Sequence, residues 1–308
     1  MASPLTDKAF VRLLDDRLEK CFTGGYEEIA DVRGSFFDVV TGKKAWLEYT
    51  EVSDVGDPEE FAGLRSYQDV YPGYWYKIEP KEYAGGIMIQ RRLIDTDRYD
   101  VIEERANGLG VAMKRLQNKH AHHPFIYMDS TAHDFMITEE GVALCSNSHT
   151  TKSSASTSTG FDNLVTLPFN PTNLEAARIQ ALQFKTPTGE LYEGEFDGIV
   201  HPLNLSQEVW EVQKSEGKVG EMLNDANFQR SLAWKNYELK LWDAYDTNNW
   251  AIIDTMRMKK RGLVWYDSIK PEFGSTTDFD TMIRKYGSYG VWGWGWIDWR
   301  WICGAVVS

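Results

Sequence analysis

The sequence predicts an α+β protein, and three observations carry that prediction. Strand and helix signals are intermixed without a regular βαβ rhythm, and nothing recurs at the period of roughly 20–50 residues that marks a repeat fold. One long stretch, residues 98–120, carries Ile102, Ala106, Leu109, Met113 and Leu116 at steps of three and four, which is helical periodicity. The C-terminal stretch IRKYGSYGVWGWGWIDWRWICGAVVS alternates aromatic and small residues, which is strand periodicity and ends the chain inside a sheet.

Composition narrows the function. The chain has 308 residues, 42% hydrophobic and 26% charged, enough to bury a sizeable core. It is rich in aromatics, with 12 Trp, 15 Tyr and 14 Phe. Its 46 acidic and 33 basic side chains leave a formal charge of −13. Such a field repels a phosphate backbone, which argues against a protein whose task is to grip nucleic acid and leaves room for a passive neighbour of DNA. Cys21, Cys145 and Cys303 are too few and too scattered for a disulfide framework or a CxxC zinc site, and they suit a reducing compartment. No apolar run approaches the ~20 residues of a membrane span, and residues 1–20 lack the apolar centre of a signal peptide. A soluble protein made in the cytosol is expected.

Taken in order, Phe10, Leu13, Leu14, Arg17 and Leu18 suit a short amphipathic helix closed by Gly24-Gly25. From Trp46, WLEYTEVSDV alternates polar and apolar residues, and 85–91 returns in a similar rhythm. With the breakers Gly56-Asp57-Pro58, Pro72-Gly73 and Pro80 between them, the two read as a long hairpin with a decorated tip. The long helix follows, capped by Asp95, Thr96 or Asp97, weakened at Gly108 and Gly110 unless another element packs closely there, and ended by Pro124.

Next come a short strand VALC (142–145) and a Ser/Thr-rich surface loop, SNSHTTKSSASTST. Thr172-Asn173-Leu174-Glu175 is a capping box opening a second helix through Leu174, Ala177, Ala181 and Phe184. Residues 198–202 form a buried strand leading to a third helix near Ser206 that carries Val209 and Val212. Tyr237, Leu239 and Leu241, then Trp250 and Ile252, give two strands joined by a turn containing Asp246-Thr247-Asn248-Asn249.

Chemistry-bearing motifs are weak. His120, His122 and His123 precede Asp129 and His133, but HxHH matches no zinc spacing, and histidines at a helix C-terminus are favoured by the macrodipole alone. Trp292, Trp294, Trp296, Trp299 and Trp301 could form a sugar-stacking platform; without accompanying Asp, Asn or Gln they are better read as core or interface aromatics. No GxSxG, P-loop or strand-preceded GxGxxG is present. Neither a catalytic site, a cofactor nor a metal is expected. The segment 48–60 holds Glu48, Glu51, Asp54, Asp57, Glu59 and Glu60 with no Lys or Arg.

The order of these elements, a long acidic hairpin running into IMIQRRLIDTDRYDVI and a long helix, then EGVALCSNSHT, Asn163-Leu164, a capped helix, GIVHPLNL, an aromatic strand pair and YGVWGWGWIDWRWICG, resembles the major capsid proteins of tailed bacteriophages. The resemblance is to the Hong Kong 97-type fold and, within it, to the Mu-like major head subunit branch. It covers about residues 46–308 and rests on ordered short patterns rather than one signature.

The resemblance implies an N-terminal arm at 1–45, an extended loop at 46–90, a peripheral domain with a long spine helix at 91–130 and 276–300, an axial domain at 131–275 and a C-terminal segment at 301–308. It implies a structural subunit that self-assembles into an icosahedral head of hexamers and pentamers around double-stranded DNA without specific binding. The implied place is the virion, with assembly in the host cytoplasm. Implied partners are a portal protein and a separate scaffolding protein, since the chain starts too close to its hairpin to carry a fused one; a decoration protein is admitted. Inter-subunit contacts are expected from Glu48, Glu51, Asp54, Glu59 and Glu60 on the arm to Arg91, Arg92, Lys114 and Arg115 on the spine. Two other classes stay open: a carbohydrate-binding or adhesion module using the tryptophans, and a metal hydrolase using the histidines.

Overall fold

A computed structural model describes residues 7–307 apart from 59, 62, 64, 66, 68–69, 96–98, 133–134, 154, 218–225, 241–247 and 279–282. The first third contains α1 (Asp7–Glu28), α2 (Arg33–Phe36), β1 (Asp38–Thr41), β2 (Leu47–Val52), β3 (Pro72–Ile78), β4 (Lys81–Gln90), α3 (Arg91–Asp95) and α4 (Tyr99–Ile126). The middle contains β5 (Met136–Thr138), β6 (Leu164–Val165), α5 (Pro171–Leu182), β7 (Gly198–Pro202) and α6 (Ser206–Lys214). The remainder contains β8 (Lys235–Leu239), β9 (Trp250–Ile253), β10 (Leu263–Thr277), β11 (Ile283–Trp296) and β12 (Ile302–Ala305).

Three sheets result: β1-β10-β11-β4, β6-β12-β9-β7-β8 and β2-β3-β5. The main core joins the five-stranded sheet to the second half of α4 and the tryptophan-rich end of β11. A smaller core of Leu18, Ile89, Ile102, Ala106 and Tyr286 lies under α1. The class is α+β, as the intermixed periodicities imply.

Several local expectations give way to packing. Helix α1 does not close at Gly24-Gly25 but runs on to Glu28. A Cβ on Gly25 would lie 2.3 Å from the Asn107 carbonyl oxygen, and one on Gly110 would lie 2.1 Å from that of Phe22. Both glycines therefore serve a backbone-to-backbone crossing of α1 and α4, which offsets their poor helix propensity. Helix α4 passes through buried Pro124 to Ile126, its last turn held by buried Phe125 and Ile126.

Strand β2 does not pair with residues 85–91. It pairs with β3, while β4 joins the long β10–β11 hairpin through Gly86 opposite Gly287. Pro72 opens β3 instead of breaking the chain, because the first residue of a strand loses little without an N–H. Residues 142–145 form no strand; Cys145 donates its N–H to the Met128 carbonyl at 2.7 Å and buries its side chain. The cap of α5 is Asn170, whose side chain accepts from Asn173 N at 2.8 Å, so Thr172 lies inside the first turn. Strands β8 and β9 are not a hairpin, since β7 lies between them, parallel to β8 and antiparallel to β9. The aromatic tail divides between two sheets, β11 in one and β12 in another.

Candidate assembly surfaces

The β2–β3 hairpin is three-stranded at its root, where Ile78 pairs with Leu47 on one side and Met136 on the other. Past Val52 and Pro72 no ladder is formed among the described residues. That segment is apolar as well as acidic: Val52, Val55, Phe61, Tyr67 and Val70 are all exposed, Tyr67 to 90%. A two-stranded arm is marginal in water, and exposed apolar residues concentrated on it mark a surface made to be covered.

The hairpin root is fastened by charge. Buried Arg300 lies 3.1 Å from Glu51 on β2 and 2.9 Å from Asp298, and it donates to the Lys185 carbonyl at 2.6 Å. Its guanidinium sits 4.7 Å from the Trp299 ring centroid, and Trp299 stacks at 4.2 Å on His149. The His149 Nδ1 is in turn 3.2 Å from Glu140. Burial pushes the Glu51 carboxyl up despite Arg300, with Asp298 and Glu140 adding to the rise. His149 thus pins the Ser/Thr-rich loop, which is irregular as its composition implies but anchored.

A second, partly buried network fixes the connection between α1 and α2 to the body. Asp31 meets Arg33 at 2.7 Å and Lys114 of α4 at 3.0 Å, while Arg33 reaches Asp267 of β10 at 3.1 Å. Trp265 Nε1 donates to the other Asp267 oxygen at 2.7 Å. Asn118 clips the connecting backbone twice, donating to Ala30 O at 2.9 Å and accepting from Val32 N at 3.3 Å. Burial would raise the Asp31 carboxyl, but hydrogen bonds from Arg33 and Lys114 outweigh it and hold it well below the usual carboxylate range.

Trp292, Trp294, Trp296, Trp299 and Trp301 are all buried. Trp292 Nε1 donates to His120 Nδ1 at 3.0 Å, and Trp301 Nε1 donates to Asp298 O at 2.6 Å. No ring in this group offers a face to an outside sugar. His120 and His122 are buried in the same core, Asp129 is exposed, and His133 lies outside the described residues. Among the described residues no three His, Cys, Asp or Glu side chains gather as a metal site, and no helix is long and apolar enough to cross a membrane.

No family model matches the sequence, and no curated protein matches it. Solved structures do. A chain of the bacteriophage PhiM1 mature capsid is similar with TM-score 0.58 and 11% identity, over 91% of this chain and 88% of that one. A capsid chain of an empty GTA particle gives TM-score 0.56 and 12% identity over 90% of each chain. The capsid of cyanophage P-SCSP1u gives 0.54 and 12%, over 91% of this chain and 88% of that one. The chain has the Hong Kong 97-type capsid fold.

On this capsid fold the charged residues expected at subunit contacts divide sharply. Glu48, Asp54 and Glu60 are exposed on the hairpin, and Arg92 and Arg115 are exposed on the spine side. Glu51 and Lys114 are each paired inside the chain, Glu51 with Arg300 and buried Lys114 with Asp31. A cation or carboxylate held in cis away from water gains nothing by leaving for an exposed partner. Glu59 and the Arg91 side chain lie outside the described residues.

Sequence reasoning missed both charge networks. Each contains an Asp-x-Arg triplet, Asp31-Val32-Arg33 and Asp298-Trp299-Arg300, and in each the arginine folds back on the aspartate two residues before it. The available signal was an acid and a base placed inside an otherwise aromatic run.

Proposed function

We propose that this chain is the major head subunit of a tailed bacteriophage, self-assembling into an icosahedral shell around double-stranded DNA. The observation that carries the reading is the β2–β3 arm on a capsid fold matched along nearly its whole length: its exposed Val52, Val55, Phe61 and Tyr67 need a neighbour to bury them. Repetition supplies that neighbour, and contacts burying about 800 Å² per partner suffice when every copy makes them.

Within this reading residues 1–45 are the arm, 46–90 the extended loop, 91–130 and 276–300 the peripheral domain, 131–275 the axial domain and 301–308 the C-terminal segment. The ordered sequence patterns support a reading of the chain as a member of the Mu-like branch. Its role is structural rather than enzymatic. Its partners are further copies arranged as hexamers and pentamers, a separate scaffolding protein and a portal protein. Its place is the virion, after assembly in the host cytoplasm.

Size-exclusion chromatography with negative-stain microscopy of the purified chain tests this directly. Shells, tubes or capsomer rings are expected. A lasting monomer that binds glycans would replace the proposal with an adhesion module.

A further inference from the structure

The connection from β9 to β10 is built more firmly than a loop needs. Asp254 caps it, its Oδ1 accepting from Met256 N at 3.1 Å and Arg257 N at 3.0 Å, and its Oδ2 accepting from Glu195 N at 3.0 Å. Thr255–Arg257 is helical and Met258–Gly262 is a single π-helical turn, a rare geometry that recurs at functional positions. Buried Met258 roots the turn, Gly262 packs on Trp301, and Arg257 donates to the carbonyls of Tyr192 at 2.7 Å and Glu193 at 2.9 Å.

This scaffold presents Met256, 68% exposed, beside exposed Lys259 and Lys260. Neither lysine has an ion-pair partner among the described residues. A turn that displays two adjacent cations and a thioether is opposite in sign to the chain's net charge of −13. Its complement is on the same chain. Glu48, Asp54 and Glu60 on the hairpin are exposed, also lack ion-pair partners among the described residues, and flank exposed Val52, Val55 and Phe61.

We propose that the turn at 256–260 receives the acidic hairpin of a second copy of this chain. Met256 would meet the apolar residues of the arm, and Lys259 and Lys260 would meet its carboxylates. Donor and receiver are different patches, so the contact is head-to-tail, the kind that closes rings when the rotation between copies allows it. The inference rests on the shell-subunit reading above and names the receiving surface.

Two experiments test it. Chains carrying Asp54→Cys are mixed with chains carrying Lys260→Cys under mild oxidation and run on a non-reducing gel. Both chains carry Cys21→Ser, because Cys21 is partly exposed while Cys145 and Cys303 are buried, and the mixture is expected to yield a covalent dimer that neither variant yields alone. A mixture with no more dimer than the separate variants overturns the proposal. In the second, Lys259→Glu with Lys260→Glu is expected to reduce ordered assemblies at least ~10-fold at low salt with an unchanged circular-dichroism spectrum, and adding Asp54→Lys with Glu60→Lys to the same chain is expected to restore them. Unreduced assembly of the first double variant overturns the proposal. Should the unmutated chain form no shells, tubes or rings, the shell reading fails, and the cysteine mixture still decides whether two copies make this contact.

Discussion

Arg300, with 3% of its side chain exposed, lies 3.1 Å from Glu51 and thereby fastens the root of the hairpin to the turn between β11 and β12. Removing the cation leaves Glu51 and Asp298 facing each other without their shared partner. Arg300→Met is therefore expected to cost ~3–5 kcal/mol in urea unfolding, and a cost within error of zero would show that the pair carries no net stability.

Glu51 itself should behave in the opposite way. Burial raises its folded-state value above the ordinary 4.5. The folded chain therefore holds that proton more tightly than the unfolded one, and the group's contribution is full below about 4.5 and lost as pH rises through the raised value. Glu51→Gln keeps an acceptor for Arg300 and removes the titration. Its stability relative to the parent is expected to improve from acid to pH ~8. A parent that gains on the Gln variant over that range would sink the argument.

His122 supplies acid lability. It is buried, its Nδ1 has no partner among the described residues, and burial, with a smaller contribution from His123, lowers its value from 6.5 to about 4. As pH falls below 6.5 the unfolded chain takes up a proton that the folded chain refuses until about 4, so stability drops across that window. The loss is expected to reach up to ~3 kcal/mol and to be largely absent in His122→Leu, as read from unfolding midpoints between those pH values.

Two glycines two residues apart on α4 should respond with opposite sign. A Cβ on Gly108 meets nothing within 4 Å, whereas one on Gly110 meets the backbone of Phe22 and Tyr26. Gly108→Ala is expected to stabilise by ~0.5–1 kcal/mol through helix propensity. Gly110→Ala must push α1 outward, costing ~1–3 kcal/mol and opening residues 7–28 to protease. Equal effects in thermal melts would mean that α1 does not hold its place on α4.

The tryptophans are expected to differ by their indole N–H groups. Trp294 Nε1 has no partner among the described residues, while Trp301 Nε1 donates to Asp298 O. Trp301→Phe is expected to cost ~1 kcal/mol or more beyond Trp294→Phe. Trp299→Ala, which removes the surface on which His149 stacks, is expected to cost ~3–5 kcal/mol. A soluble, assembling Trp299→Ala that has lost only glycan binding would favour an adhesion module instead.

The amino-acid sequence by itself determined what depends on near neighbours and on burial. Helical spacing from Ile102 to Leu116 located the long helix, GIVHP located a strand with both faces buried, and Val209 and Val212 located the inward side of α6. The order of those elements was enough to indicate the capsid fold, since order survives when identity falls to the 11% seen against the PhiM1 chain.

Pairing and partner choice were decided only in three dimensions. Strand β4 has the alternation of a hairpin mate for β2, yet β11 offers it a ten-residue register, from Ile283 opposite Gln90 to Trp292 opposite Lys81, and the longer ladder takes it. Gly25 looks like a helix stop and Gly110 like a weak point until another backbone lies within reach of each. Glu51 and Lys114 look like surface charges until Arg300 and Asp31, 249 and 83 positions away along the chain, close on them. Periodicity reports which face of an element avoids water; which element covers that face depends on contacts between residues far apart in sequence, and local pattern carries no record of them.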